Sequence, residues 1–332
     1  MSKAESYSPP FSLTDKITDL LAQVSVLVGG IDVLQEGSVA VHLRKENRIR
    51  TIQSSLSIEN NTLTLEQVTA IFDGKRVAGK AREIKEVENA ISAYDVIQTF
   101  DPLKQKDLLK AQSLMMLGLV QDCGKFRTGG VGIFNGKKLV HMAPPASFVK
   151  AQIKNLLAWY KKSELHPLIK SAVFHYEFEF IHPFADGNGR MGRMWHTLLL
   201  GKWNQMFLWL PVEDLIKKHQ NEYYKALSQS DSCANASTFV EFMLGILLKA
   251  LQGLNKQNRI NVKVNVKINV NQQKILDCIK KNSYITQKEL GEELGISVVN
   301  INKNIAKLKT MGKLKRVGAD KNGYWEYSGL KI

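Results

Sequence analysis

Cysteine is scarce in this chain: three in 332 residues, at Cys123, Cys233 and Cys278, with neither paired spacing nor a metal-knuckle pattern. That argues against a disulfide framework and a cysteine-held metal, and it fits a reducing, cytoplasmic setting. Long apolar runs are also missing. Stretches such as residues 242–248 are broken by Lys or Glu well short of the ~18 residues that a membrane span needs, so no membrane partner is expected. Residues 1–12 are mostly polar, carry Glu5 and lack the basic-then-apolar layout of a secretory leader. Acidic residues are in deficit, 31 against 46 Lys and Arg, for a formal charge of +15. Such an excess favours polyanionic partners, nucleotide phosphates or nucleic acid, without choosing between them. With 44% hydrophobic residues, the composition is near the globular average, which excludes collagen-like, coiled-coil and wholly disordered chains. The length allows two domains at roughly 150 residues each.

What is present from residue 13 to about 251 is mainly helical spacing. Apolar residues recur three and four apart in Ile17, Leu20, Leu21, Val24 and Leu27, and again in Leu108, Ala111, Met115 and Leu119. Gly29 and Gly30 punctuate the first helix. A second runs over residues 39–58 and ends in Glu59-Asn60-Asn61, where Asn is suited to a left-handed cap. One island departs from the pattern: two short apolar runs, including Val131, Gly132, Ile133 and Phe134, flank Asn135-Gly136 and stop at Pro144-Pro145. This predicts a β-hairpin, and a lone hairpin buries so little that it is expected to lie over something as a flap.

From Ile260 to Val270 apolar residues alternate strictly with Asn or Lys, which predicts a strand or an interdomain tether guarded by Lys263 and Lys267. The boundaries expected are a helical region at 1–100, a core at 101–254, a linker at 255–270 and a small domain at 271–332. The last reads as three helices and two strands, with Thr286 and Glu289 as a capping box, Gly295 as a turn, Ser297 as a cap and Gly312 as a stop. This is a winged helix-turn-helix pattern with 12 Lys and Arg against 6 Asp and Glu, a net of +6. Asn300, Asn302, Lys303, Asn304 and Lys307 avoid the apolar stripe of its third helix, so DNA through residues 271–332, a solvated face or a protein-docking surface all remain open.

The chemistry concentrates in His182-Pro183-Phe184-Ala185-Asp186-Gly187-Asn188-Gly189-Arg190-Met191-Gly192-Arg193. An apolar helix stops at a Pro, a Gly- and Asn-rich turn follows, and a new helix starts near Gly189. Converging main-chain N–H groups and a helix N-terminus make an anion nest. Arg190 and Arg193, three apart, share a face and offer planar forks to phosphate oxygens. Asp186 is a hard oxygen ligand suited to Mg²⁺ beside a polyphosphate. His182 can take a proton near neutral pH. The set describes nucleotidyl or phosphoryl transfer; a structural corner with Asp186 as cap and salt-bridged Arg would use the same residue types. His175 sits in an apolar run with no zinc-like spacing and reads as a packed histidine.

At this point the chain resembles the Fic family. The segment fits the motif His-x-Phe-x-Asp/Glu-Gly-Asn-Gly-Arg-x-x-Arg at every fixed position, and the likeness runs from about Thr14 to Leu251, including Gly124-Lys125-Phe126-Arg127 before the hairpin. The resemblance implies a mainly α, all-helical Fic fold with a β-hairpin flap, joined to a small C-terminal α+β winged-helix domain. It also implies a protein adenylyltransferase that moves AMP from ATP to a Ser, Thr or Tyr hydroxyl of a target protein. His182 would be the base, Asp186 would hold Mg²⁺, and Gly187, Asn188, Gly189, Arg190 and Arg193 would bind the phosphates, with Phe184 as a buried anchor. The related Doc toxins phosphorylate and lack part of this set. Residues 55–60, with Ser55 and Glu59, resemble the family's inhibitory pattern, in which Glu pairs with the second Arg, here Arg193, and displaces the γ-phosphate. An ordinary helix-end carboxylate is the plain alternative for Glu59. Tyr223 and Tyr224 resemble the adenine-pocket segment, though paired Tyr also serve as half-buried packing. The hairpin would clamp the target by strand addition. Helix-swapped homodimers occur among relatives, and some use the same Glu to remove AMP. A nucleotide-sensing DNA-binding regulator is the other function the chain allows.

Overall fold

The computed structural model describes residues 7–31, 38–135, 138–266, 269–310, 313–318 and 323–327. The chain divides into two compact units, Met1–Gln35 with Leu43–Asn255, and Glu36–His42 with Lys256–Ile332. Expectations placed on residues 1–6, the Gly136 turn, Lys267, Gly312 and residues 319–322 lie outside the described residues.

The first unit is helical because its apolar residues recur at helical spacing and each stripe needs a partner. In order it holds all or most of α1 (Asp15–Ile31), α2 (Ser38–Ile58, from Leu43 on), α3 (Leu65–Phe72), α4 (Ala81–Asp95), α5 (Gln105–Met115), β1 (Gly132–Asn135), β2 (Lys138–Met142), α6 (Ala146–Lys162), α7 (Pro167–Ile181), α8 (Asn188–Trp203), α9 (Val212–Lys218), α10 (Gln220–Ser232) and α11 (Ser237–Val266, up to Asn255). One apolar core cluster takes in residues from Ile17 to Leu251. Its centre is α7 packed on α8. Pro at the first position of α7 needs no N–H partner, and Ser171, Phe174, Phe178 and Ile181 are all buried. A helix buried on every side is a core helix, and the two ends that meet at 182–187 are therefore held rigidly. Trp195 of α8 is fully buried and donates its indole N–H to Pro102 O at 3.1 Å.

The hairpin is as expected in its strands: β1 and β2 pair antiparallel, with an irregularity between Ile133 and Phe134. Among the described residues, the strand predicted at 260–270 is not formed. Residues up to Val266 continue α11, and Asn269 caps the next helix. β-branched residues favour strands only where a partner strand exists. Here a helix already nucleated by core packing adds one backbone bond per residue at little cost. The stretch Ser237–Asn255 of α11 is long and apolar enough to cross a membrane. Phe239, Val240, Met243, Leu244, Leu247 and Leu251 bury its apolar face in the core.

The second unit holds α12 (Val270–Lys281), α13 (Gln287–Leu294), α14 (Val298–Thr310), β3 (Leu314–Val317) and β4 (Tyr324–Tyr327). Thr286 and Glu289 form the expected capping box, and Gly295 is left-handed at φ 65°. Leu314 pairs with Tyr327 and Val317 with Tyr324. Ile275, Ile279, Leu290, Ile301, Leu308 and Trp325 form its core.

Candidate active site

α7 ends at His182, whose N–H reaches Phe178 O at 2.9 Å while its backbone turns left-handed (φ 48°). Pro183 cannot continue the helix, and Phe184 then plunges into the core between Phe126 and Phe178, ring centroids 5.8 and 6.2 Å away. The turn is locked by Asn188, which accepts from Phe184 N–H and donates to Phe184 O, both at 2.8 Å. The side chain of Asn188 is thus structural; only its main-chain N–H is left for an anion. Gly187 is left-handed at φ 83°, and a Cβ there would strike Met116 Sδ at 2.6 Å. The first helical bond of α8 runs from Met191 N–H to Gly187 O at 2.9 Å. The N–H groups of Asn188, Gly189 and Arg190 precede it and have no acceptor within the helix.

A cleft of about 210 Å³ opens over this turn. Glu59, Val131, Gly132, His182, Asp186, Gly187, Asn188, Gly189, Arg193, Tyr223 and Tyr224 all line it, so residues from four separate stretches converge. A larger hollow of about 610 Å³ around Tyr160, Lys170 and Trp203 contains none of them, so side-chain chemistry rather than size marks the site. Of the ring nitrogens of His182, Nδ1 lies 3.2 Å from Glu179 O and 3.8 Å from the Glu179 carboxylate.

Arg193 is buried and fully engaged by α2. Its Nη2 donates to Glu59 Oε1 at 2.8 Å and to Ser55 O at 3.0 Å, and its Nε to Ser55 Oγ at 3.1 Å. Burial is the largest single influence on both charges and opposes each. For Glu59 it is outweighed by Arg193, then Arg190 and His182, and the carboxyl ends below its ordinary range. For Arg193 it is outweighed by Glu59 with help from Tyr223 and Glu179, so the guanidinium is held protonated. About a third of the Glu59 side chain, 35%, faces the cleft, so the pair is partly screened by solvent. A Cβ at Gly189 would run into Glu59 Oε1 and Arg193 Nη1. The Glu59 carboxylate therefore lies directly on the glycine at the helix N-terminus. Asn60 (φ 69°) ends α2 in the left-handed cap expected of it, with Asn61 N–H on Leu56 O at 3.1 Å.

Arg190 donates to Asp186 Oδ1 at 3.1 Å, faces Glu86 at 3.7 Å and keeps a buried Nε–H with no partner. Asp186 is 41% exposed at the lip, where Arg82 also approaches at 3.5 Å. Tyr223 is buried with its hydroxyl 3.3 Å from His175 Nε2, while Tyr224 is half-buried. His175 packs against His196, Tyr223 and Phe239, and burial, then Arg193, lowers it to about 3, so it is neutral. Beneath Arg193, the buried Glu213 is raised to about 7 by burial and accepts from Thr197 (3.2 Å) and Tyr94 (3.3 Å). Sequence reasoning missed Glu86, Arg82, Glu213 and Arg127. The last carried a faint signal, its place just before the hairpin.

Fold and site together define a helical protein with a glycine-rich helix corner beside a histidine, where Arg193 pairs with the Glu59 carboxylate. The model of the Fic/DOC family matches residues 102–200, and that of the winged helix-turn-helix DNA-binding domain matches residues 268–315. A solved Fic family protein from Desulfovibrio desulfuricans G20 is 43% identical, with a TM-score of 0.76, over 98% of this chain and 100% of that one. The chain belongs to the Fic family. Among curated proteins it is similar to Protein adenylyltransferase Fic of Culex quinquefasciatus, 28% identical over 245 residues, which is 70% of this chain and 45% of that protein. It is also similar to Protein adenylyltransferase fic-1 of Caenorhabditis elegans, 26% identical over 220 residues, which is 63% of this chain and 41% of that protein. The chain thus spans less than half the length of these curated relatives.

Proposed function

We propose that this protein is an adenylyltransferase that moves AMP from ATP to a hydroxyl side chain of a target protein, restrained by Glu59. The observation that carries this is the Glu59–Arg193 pair lying on Gly189: a carboxylate takes the fork and the helix terminus that a triphosphate would use. With Nδ1 against main chain, Nε2 of His182 is the nitrogen that would take the hydroxyl proton as the target oxygen bonds to the α-phosphorus. The bond from that phosphorus to the β-phosphate bridging oxygen breaks, and pyrophosphate leaves. The N–H groups of Asn188, Gly189 and Arg190, with the unpartnered Arg190 Nε–H, suit the α- and β-phosphates, and Arg193 suits the γ-phosphate once Glu59 withdraws. Tyr224 is the aromatic with room for a base; Tyr223 supports it from behind.

Mg²⁺ fits Asp186 only together with phosphate. Among the described residues no three His, Cys, Asp or Glu are grouped so as to hold a metal ion, and one half-exposed carboxylate plus phosphate oxygens is a usual Mg²⁺ arrangement. Bound there it would offset phosphate charge. β1, with Val131 and Gly132 on the cleft, would dock the target strand together with Ile133 and Phe134. The exposed Asn300, Asn302, Lys303 and Lys307 on α14 support a second, accessory role in DNA binding. Free thiols at Cys123, Cys233 and Cys278 suit a cytoplasmic setting.

The test compares ATP labelled at the α- and at the γ-phosphate, with Mg²⁺ and the E59G protein. Label from the α-position only, lost in H182A, supports the reading. Label from the γ-position, or none from ATP while another nucleotide labels, overturns it.

A further inference from the structure

We propose that Arg127 is a positioning residue that fixes His182 and the two feet of the β1–β2 hairpin as one assembly. It rests on the reading of His182 as the base and of the hairpin as the target dock. Arg127 is 5% exposed, and its side chain donates to four main-chain carbonyls. Nε donates to His182 O at 2.7 Å, Nη2 to Ile181 O at 3.2 Å and Pro144 O at 2.5 Å, and Nη1 to Gly129 O at 2.8 Å. Its own N–H donates to Pro183 O at 2.9 Å. Gly129 precedes the hairpin and Pro144 follows it, so one planar group joins both feet to the end of α7.

The arrangement answers two physical needs. The last carbonyls of α7 lack helical partners and carry the negative end of its dipole, which a buried cation offsets. His182 holds a left-handed backbone (φ 48°, ψ 62°), which is unfavourable for a non-glycine residue and persists only where its surroundings impose it. Arg127 grips the carbonyls on both sides of the His182–Pro183 peptide. Lysine keeps the charge but not the five-donor fork, so it cannot hold three segments at once. A hydroxyl docked on β1 therefore meets the imidazole at a distance that Arg127 sets, and a misplacement of about 1 Å costs on the order of 100-fold in rate.

The test uses R127K and R127A in the full chain, each with and without E59G. Amide hydrogen exchange without nucleotide should quicken together at residues 129–132, 142–144 and 182–187, leaving the cores of α8 and α11 as in the native chain. In self-labelling with ATP, E59G/R127K should lose roughly 10–100-fold in maximal rate while half-saturating ATP moves less than about threefold. Faster exchange at only one of the two regions, or throughout the first unit, overturns the proposal, as does an unchanged rate. Should R127A fail to fold, R127K carries the test. If E59G alone never labels, the AMP-transfer reading fails, and exchange still decides whether Arg127 couples the hairpin to His182.

Discussion

The corner at 182–193 and the winged unit hold their polar groups in opposite ways. In the corner, Arg193 is buried and tied to Ser55 and Glu59, 138 and 134 residues away in the chain. In the winged unit, Asn269 bonds Gln272, Thr286 bonds Glu289 and Ser297 bonds Asn300, each three residues on and mostly exposed. A small domain can stop its helices with local caps. A site that must keep charge out of water, ready for a polyanion, needs partners brought from distant segments, because the desolvation of a buried charge is offset only by near-ideal contacts. Change in the corner should therefore alter chemistry, and change in the winged unit should alter local stability.

The largest expected effect is on chemistry. H182A in the E59G background should lower AMP transfer by about 10²–10⁴-fold, measured as label incorporated per minute. Next comes release: a buried charge-assisted bond is worth about 1.5–3 kcal/mol, so E59G should raise labelling roughly 10–100-fold over native protein. Equal labelling of the two would remove Glu59 as the restraint.

Stability follows. Glu213 has its pKa raised from 4.5 to about 7, so the folded state holds the proton more tightly than the unfolded chain. Its stabilising contribution is complete below about pH 4.5 and fades as pH rises through 7, by up to roughly 3 kcal/mol. Melting curves at pH 5 and 7.5 should show the native chain losing stability relative to E213Q; parallel behaviour would contradict the assignment. N188A removes both bonds to Phe184 and should cost about 1–3 kcal/mol in the first unit's unfolding. The smallest effect is T286A, which should cost the winged unit about 1 kcal/mol and leave AMP labelling as it was. A loss of labelling there would break the contrast between the two regions.

The same contrast explains what could be read from the residues alone. The corner's local features, Phe184 as anchor, the Gly187 turn and the start of α8, follow from residue types in a row, as do Asn60, Thr286 and Gly295 as caps. The pairing of Glu59 with Arg193 is expected only from the resemblance of residues 55–60 to the Fic inhibitory pattern. Arg127 carries only its place before the hairpin as a signal, because its partners are main-chain carbonyls of distant segments, and the approach of Glu86 to Arg190 and of Arg82 to Asp186 imposes no spacing on the sequence. The alternation at 260–270 misled because period-2 patterning specifies a strand only when another strand is there to pair with it, and α11 extends to Val266 instead.

The central claim is that Glu59 and a γ-phosphate compete for Arg193. The direct measurement is calorimetric affinity for ATP and for ADP, each with Mg²⁺, on the native chain and on E59G. Removing the carboxylate should raise the preference for ATP over ADP by about tenfold, or 1.4 kcal/mol. An ATP-to-ADP preference that is the same in both proteins would contradict the claim.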